Sequence, residues 1–370
     1  MEQARATWQA LWSQTTPLLL LASTDTAAVE GISAAGATPA SRRQTAAADA
    51  ELLRLGPTSP LPHALPPLPA GVSPALISHV VLQQLDLLQR LLVVDLGCAV
   101  APQTQHLRLP DRESAGPAAC LSTGAAMPPS RVTALLRRGQ QWGRHWPASR
   151  PLLLAECVPG GTSTALAVLQ GLGLEATGLV GGSLRQPAHA LKAQLVAQGL
   201  EAAGLARPPA HSEPAWVVRL LAAVGDPMQA LAAGLVLGLA EAQSPVLLAG
   251  GSQMAAVLAL ALALAPAPLR QQLCANSLIA TTAWVLADRG NDLQQLLLQI
   301  GGHWQVSPQL QSSKLRFDHC ASQALRDYER GYVKEGVGAG GLAWLWEQSG
   351  RSCADLAAAC DQACQQLLQT

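Results

Sequence analysis

The chain has 370 residues, 49% of them hydrophobic and only 13% charged, with 24 basic side chains against 24 acidic ones. Charge so sparse and balanced excludes the basic footprint of a nucleic-acid binder and a polybasic membrane patch, while the length suits a large core and about two domains. Ala, Leu and Gly dominate and aromatics make up 3%, which favours closely packed helices on a sheet over an all-β design.

The first elements read clearly. Thr7 to Gln14 is expected as a helix, and Pro17 to Ser23 as a strand ending in polar Thr24-Asp25-Thr26. Residues Val29 to Pro39 are small and Gly-rich, a loop able to approach a flat ligand, and Arg43 to Leu55 is helical. Gly56 to Pro74 carries prolines at 57, 60, 62, 66, 67, 69 and 74, so it reads as an extended connector or boundary. After a helical stretch, Pro74 to Arg90, the run Leu91-Leu-Val-Val-Asp-Leu-Gly97 is the clearest buried strand. Ala101 to Pro129 lacks periodicity, as binding loops and disordered segments do, and Ser130 then caps a helix from Arg131 to Trp142.

Pro151 to Ala155 is a short apolar strand that leads into Glu156-Cys-Val-Pro-Gly-Gly-Thr-Ser-Thr164 and a helix from Ala165 to Gly173. Gly160 and Gly161 permit close approach, while Thr162, Ser163 and Thr164 supply hydroxyls and caps. A helix start of this kind suits an anion, and it equally suits an ordinary βα turn. Glu175 to Val180 is expected as a strand before Gly181-Gly182-Ser183, followed by a helix from Ala188 to Leu205 that carries Lys192. Trp216 to Ala223 is expected as a strand. Pro227 then opens a helix to Ala242, and Asp226 either caps it or meets a ligand. Strands at Pro245 to Leu248 and Ser277 to Trp284 flank the apolar helix Met254 to Ala265, which is too short to span a membrane.

Strands alternating with helices predict a parallel sheet covered on both faces, an α/β fold of Rossmann-like kind. The strand ends would then place Asp95, Glu156, Gly181, Asp226 and Gly250 on one rim. Beyond Leu293 to Ile300 and Ala321 to Arg330, both helical, Gly336 to Gly341 matches Gly-x-Gly-x-x-Gly. No buried strand precedes it and too little chain follows, so it is not a dinucleotide fingerprint. Glu335 beside these glycines is either a partly dehydrated base or a carboxylate on an exposed turn. A terminal helical region runs to Leu368.

Eight cysteines without a Cys-x-x-Cys pair suit a reduced, cytoplasmic chain, and Cys353, Cys360 and Cys364 share a helix face as buried small residues rather than metal ligands. The histidines form no metal or catalytic spacing, and Pro17 to Ala22 is too short for a signal peptide.

Taken together, Glu30-Gly-Ile-Ser33, Val93-Val-Asp-Leu-Gly97, Ala126-Met-Pro-Pro-Ser130, Glu156 to Thr164 and Lys334-Glu-Gly-Val-Gly338 resemble, in order and spacing, the nicotinate-nucleotide:dimethylbenzimidazole phosphoribosyltransferase family, in particular its divergent cyanobacterial and archaeal branch. The resemblance covers nearly the whole chain. It implies a smaller, mainly helical domain from residues 1–60 and 300–370 around an α/β domain of residues 61–299, in a homodimer. It also implies transfer of phosphoribosyl from nicotinate mononucleotide to an aromatic base, with no metal or other cofactor and no nucleic-acid or membrane partner.

By the same resemblance Glu335 is the general base, and Glu156 lies near the ribose or the same proton. Gly160, Gly161, Thr162, Ser163 and Thr164 hold the 5′-phosphate with Gly181, Gly182 and Lys192, while Ser33 and Gly336 line the base pocket. Departures at Thr24-Asp25-Thr26, at Gly161-Thr162-Ser163 and at Gly250-Gly251 open the choice of acceptor to a purine. They also leave open a non-catalytic nucleotide-binding or regulatory homologue.

Overall fold

A computed structural model describes residues 2–110, 112–209 and 213–369. Helix α1 (Glu2–Leu11) precedes strand β1 (Thr16–Leu21), and α2 (Pro39–Leu55) and α3 (Ala75–Gln84) lead to β2 (Leu92–Asp95) and the two-residue β3 (Leu107–Arg108). Helix α4 (Pro129–Arg144), β4 (Leu152–Cys157), α5 (Gly161–Gly171) and α6 (His189–Ala202) follow. After α7 (Pro214–Val224) and α8 (Pro227–Glu241), β5 (Val246–Ala249), α9 (Ser252–Leu264), α10 (Ala267–Asn276) and β6 (Ser277–Thr281) continue the alternation. The chain finishes with α11 (Ala283–Ala287), α12 (Leu293–Trp304), β7 (Gln309–Ser312), α13 (Gln323–Arg326), α14 (Ala339–Gln348) and α15 (Cys353–Leu367).

All strand pairs are parallel, in the order β3-β2-β1-β4-β5-β6-β7. The α/β fold expected from the alternation is therefore the one observed. The direction of strand order reverses between β1 and β4, where Leu20 lies beside Glu156. Side chains alternate across the sheet. Leu18, Leu20, Leu152, Leu154 and Leu248 enter one core with α5, α8 and α9, while Leu19, Leu21, Leu153, Ala155 and Cys157 enter the other with α2, α3, α14 and α15. Residues 1–60 supply α1 and α2 on this second face and also β1 within the sheet, and residues 300–370 supply β7 as well as α14 and α15.

Several expectations need correction. Trp216 to Ala223, read as a strand, lies within helix α7, and Glu175 to Val180 forms turns rather than a strand. Both are runs of apolar and small residues; in α7 Val217, Leu220, Leu221 and Val224 meet the core at helical spacing. The strand from Ser277 stops at Thr281, because Thr282 caps α11 by accepting from Val285 N–H. Consequently Gly181 and Asp226 do not sit at strand ends. Asp226 caps α8, paired with Gln229 in a capping box. Edge strands β3 and β7 had no apolar signature: Leu107 and Arg108 are exposed, and Gln309–Ser312 is polar and half-buried.

Helices α4 and α8 pack backbone against backbone at paired glycines. A Cβ on Gly139 would lie 2.1 Å from the Leu231 carbonyl oxygen, and one on Gly234 would lie 2.2 Å from that of Leu136. The glycines at 143 and 238 repeat the arrangement one turn on. Gly302, in α12, meets nothing within 4 Å. We therefore expect Gly139→Ala to lose at least ~2 kcal/mol by overpacking, although alanine is the better helix former by about 1 kcal/mol. Gly302→Ala should gain ~0.5–1 kcal/mol. Urea unfolding of the two variants reads both signs.

Candidate active site

In an open parallel sheet, ligands settle beyond the carboxyl ends of the strands where the order reverses. A cavity of about 940 Å3 lies there, within the range of roughly 300–1,000 Å3 usual for small-molecule sites. Ser33 after β1, Glu156 near the end of β4, Gly160 to Thr162 at the start of α5 and Ser252 at the start of α9 line it. Gly181, Gly182 and Ser183 join from the segment before α6, and Glu335 and Gly336 from the segment before α14. Pro60, Pro66 and Pro69 of the Pro-rich segment also face it, so that stretch is a wall of the cavity rather than a bare connector.

Gly160 takes a left-handed φ of +82° as the N-cap of α5, and a Cβ there would come within 3.0 Å of the Ala27 backbone. Gly161 has Gln253 Oε1 only 2.0 Å from where its Cβ would stand. Gly160 is therefore fixed by its φ and by the Ala27 backbone, Gly161 leaves room for the end of the Gln253 side chain, and both open the start of α5 to the cavity. Ser163, Thr164 and Lys192 do not line it. The Thr164 hydroxyl donates to Asp226 Oδ2 at 2.6 Å, and the Ser163 hydroxyl is buried without a hydrogen-bond partner among the described residues. Lys192, 1% exposed, donates from Nζ to Thr162 Oγ1 at 2.9 Å and to the Gly181 carbonyl at 2.6 Å. It holds the two glycine loops together from behind, and burial, then Lys334, pushes its ammonium down to about 8.

Ser33 shares a hydrogen bond of 3.2 Å with Ser183, whose hydroxyl also accepts from Ala34 N–H at 2.9 Å. The Ser33 loop and the Gly181-Gly182 loop are thus one piece. Ser252, whose hydroxyl accepts from Gly181 N–H at 3.2 Å, joins them to the start of α9.

Glu156 is 6% exposed and accepts from Val158 N–H at 3.0 Å. Burial first, then the neighbouring charges of Asp226 and Glu335, push its carboxyl up to about 8. The shift favours its protonated form, in which the carboxyl donates a hydrogen bond.

Glu335 is held differently. Its Oε2 accepts from the Thr281 hydroxyl at 2.8 Å and Thr282 N–H at 3.0 Å, and its Oε1 accepts from Gly336 and Gly340 N–H at 3.1 and 3.0 Å. Desolvation raises its pKa, while these four donors favour the charged form. The backbone around it lies in sparsely populated regions: Val333, Lys334 and Val337 have φ of +64°, +67° and +51°. Such strain persists only where neighbours over-determine it. Here Lys334 Nζ reaches Asp288 and the Leu184 carbonyl, Thr282 Oγ1 donates to Lys334 O, and Val337 N–H donates to Glu156 O.

The glycines of the Gly336 to Gly341 match explain themselves by contact. A Cβ on Gly338 would lie 2.7 Å from Ala155 Cβ, and one on Gly341 would lie 2.3 Å from Ala249 Cβ. They bring α14 flush against the sheet, which is a reason distinct from dinucleotide binding.

Sequence reasoning missed Asp49, Ser73, Thr281, Thr282 and Gln253. Ending β6 at Thr281 would have exposed the Thr281-Thr282 pair as strand-end hydroxyls; Asp49 had no local signal in the alanine-rich α2. Among the described residues no cluster of side chains suits a metal ion, and no helix is long and apolar enough to cross a membrane.

A family model described as "Phosphoribosyltransferase" matches residues 86–282, more than half of the chain. The chain belongs to this phosphoribosyltransferase family. Among its relatives, a UPF0284 protein of Parasynechococcus marenigrum is 53% identical over 95% of this chain and 87% of its own. Another, of Prochlorococcus marinus, is 51% identical over 95% and 86%. Two solved structures from Thermus thermophilus share the fold. The nicotinate-nucleotide-dimethylbenzimidazole phosphoribosyltransferase aligns at TM-score 0.55 and 19% identity over 94% of this chain and 82% of that one. The structure named CobT aligns at TM-score 0.58 and 18% identity over 97% and 92%.

Linkage at Glu156 gives a stability test. Its carboxyl titrates at 4.5 when unperturbed and near 8 in the folded chain, so between these values the folded state holds a proton that the unfolded state has released. Stability from this group is full below about pH 4.5 and is lost as pH rises through 8. Glu156→Gln should therefore gain on the wild type by on the order of 4 kcal/mol between pH 5 and 9. Thermal unfolding of both proteins across that range checks it.

Proposed function

We propose that this cavity transfers the phosphoribosyl group of nicotinate mononucleotide to a benzimidazole or purine base, giving an α-ribazole-type phosphate for the lower ligand of a cobamide. The observation that carries the reading is that Glu156, Glu335 and the Gly160–Thr162 turn line one cavity at the switch point of the sheet.

The acceptor's ring nitrogen attacks the anomeric carbon with its lone pair as the bond to nicotinate breaks, the electron pair returning to the pyridine nitrogen. The proton on the acceptor's other ring nitrogen passes to Glu335. A carboxylate has about four lone-pair sites, and four donors already occupy those of Glu335. Of these donors only the Thr281 hydroxyl belongs to a side chain, the others being backbone N–H groups fixed by the fold. The acceptor therefore takes the place of the Thr281 hydroxyl at Oε2. Glu156, protonated, donates to a ribose hydroxyl. The 5′-phosphate lies against the start of α5 and the Gly181–Ser183 loop, with the charge of Lys192 behind them.

The leaving group departs from an already activated pyridinium, so the reading calls for no metal or other cofactor. Its setting is a cytoplasmic homodimer, with the helices of residues 1–60 and 300–370 as a smaller unit that carries the base pocket and Glu335.

Incubation with nicotinate mononucleotide and dimethylbenzimidazole or adenine, followed by mass spectrometry, should show nicotinate release only when base is present. Glu335→Gln should slow turnover by about 10²- to 10⁴-fold, with nicotinate mononucleotide affinity within a few-fold of wild type. Unchanged turnover would remove Glu335 from the mechanism.

A further inference from the structure

Asp49, on α2, is an acid of the cavity wall that neither the proton transfer nor the phosphate uses. It is 6% exposed. The Ser73 hydroxyl donates to its Oδ1 at 2.6 Å and the Cys157 thiol to its Oδ2 at 3.4 Å. Among the described residues it forms no ion pair with a lysine or arginine. Two donors leave about two of a carboxylate's lone-pair sites open, on a side chain that borders the cavity.

Its position belongs to the acceptor's half. Ser73 precedes Pro74, whose ring would stand 2.9 Å from a Cβ on Gly336, and Gly336 follows Glu335. Cys157 follows Glu156 on β4, and Thr45, one turn before Asp49 on α2, donates to the Ala35 carbonyl beside Ser33. Asp49 therefore lies between the segments that carry the two glutamates, beside the loop of Ser33. The wall next to it is apolar, with Leu61, Leu65 and Leu68 from the Pro-rich segment.

We infer that Asp49, held by Ser73, determines acceptor specificity by accepting a hydrogen bond from an N–H group on the edge of the aromatic base. A base with an amino group there completes the acid's hydrogen bonding as it displaces water. One with an alkyl or bare edge leaves a buried carboxylate short of partners, which costs binding. The inference rests on the transferase reading for its place in the reaction, and on the cavity alone for the contact.

The test compares adenine, purine and 5,6-dimethylbenzimidazole as acceptors at saturating nicotinate mononucleotide, in wild type, Asp49→Asn and Asp49→Ala. Purine is adenine without the amino group. Wild type should favour adenine over purine by about 10- to 100-fold in kcat/KM. Asp49→Ala should bring that ratio to within about threefold without changing KM for nicotinate mononucleotide, and Asn, which keeps an acceptor oxygen, should fall between.

A wild-type preference for dimethylbenzimidazole, or an unchanged ratio in Asp49→Ala, would overturn the assignment. The wild-type comparison stands even where a variant does not fold. If no base releases nicotinate, the transferase reading fails, and calorimetric binding of the same three bases then reads Asp49 independently. Adenine preference lost in Asp49→Ala would support the contact, and equal binding of all three bases would end it.

Discussion

A single backbone hydrogen bond, from Val337 N–H to the Glu156 carbonyl at 3.1 Å, joins the two halves of the site. Glu156 lies one residue before the end of its strand at the switch point, and Val337 sits in the segment that carries Glu335. Making that bond requires three non-glycine residues with positive φ and a helix flush against the sheet. The second requirement is met by Gly338, Gly340 and Gly341, because each would otherwise drive a Cβ into Ala155, Thr281–Thr282 or Ala249. The first is met by hydrogen bonds on every side of the loop. Conformations that cost roughly 1–3 kcal/mol each persist only under such restraint, and here the restraint fixes a carboxylate on the wall of a cavity.

Electrostatics follow from this placement. Asp49, Glu156 and Glu335 border one cavity, and burial raises all three. Their environments then diverge: Glu335 meets four donors, Glu156 meets like charges, and Asp49 meets a serine and a thiol. Groups of one kind whose surroundings push them apart are how a site divides acid and base roles. The nearby lysines are placed apart from the acids, Lys334 paired with Asp288 and Lys192 turned onto Thr162 and Gly181. The cavity thus has a glycine-lined end, with Lys192 buried behind it, and an end bordered by carboxyl groups.

The far side of the sheet is a scaffold of a different sort. Helix α8 is buried along nearly its whole length, and α4 meets it backbone to backbone through paired glycines. The Asp226 cap at the start of α8 accepts from Thr164 of α5. The helix beneath the Gly160-Gly161 turn is thereby tied to that scaffold. A turn positioned from below in this way can leave its upper surface free of side chains.

What the sequence determined by itself was whatever rests on local chemistry. The central strands are buried on both faces, so β1, β2, β4, β5 and β6 stand out as continuous apolar runs. The Gly-rich turns, with Glu156 and Glu335 beside them, are also legible, since few other residues allow the backbone so close. Tertiary structure decided the rest. Helix α7 lacks a broad polar face and looks like a strand until packing assigns its period, and β7 is recognised only because β6 offers it an edge. It also decided which polar residues line the cavity and which hold the groups that line it. Asp49, on the wall, is one aspartate in an alanine-rich helix, and Thr281 and Thr282, buried behind Glu335, are two ordinary threonines at a strand end. Nothing within a few residues of any of them gives that role away, because it is set by segments distant in sequence that only the folded sheet brings together.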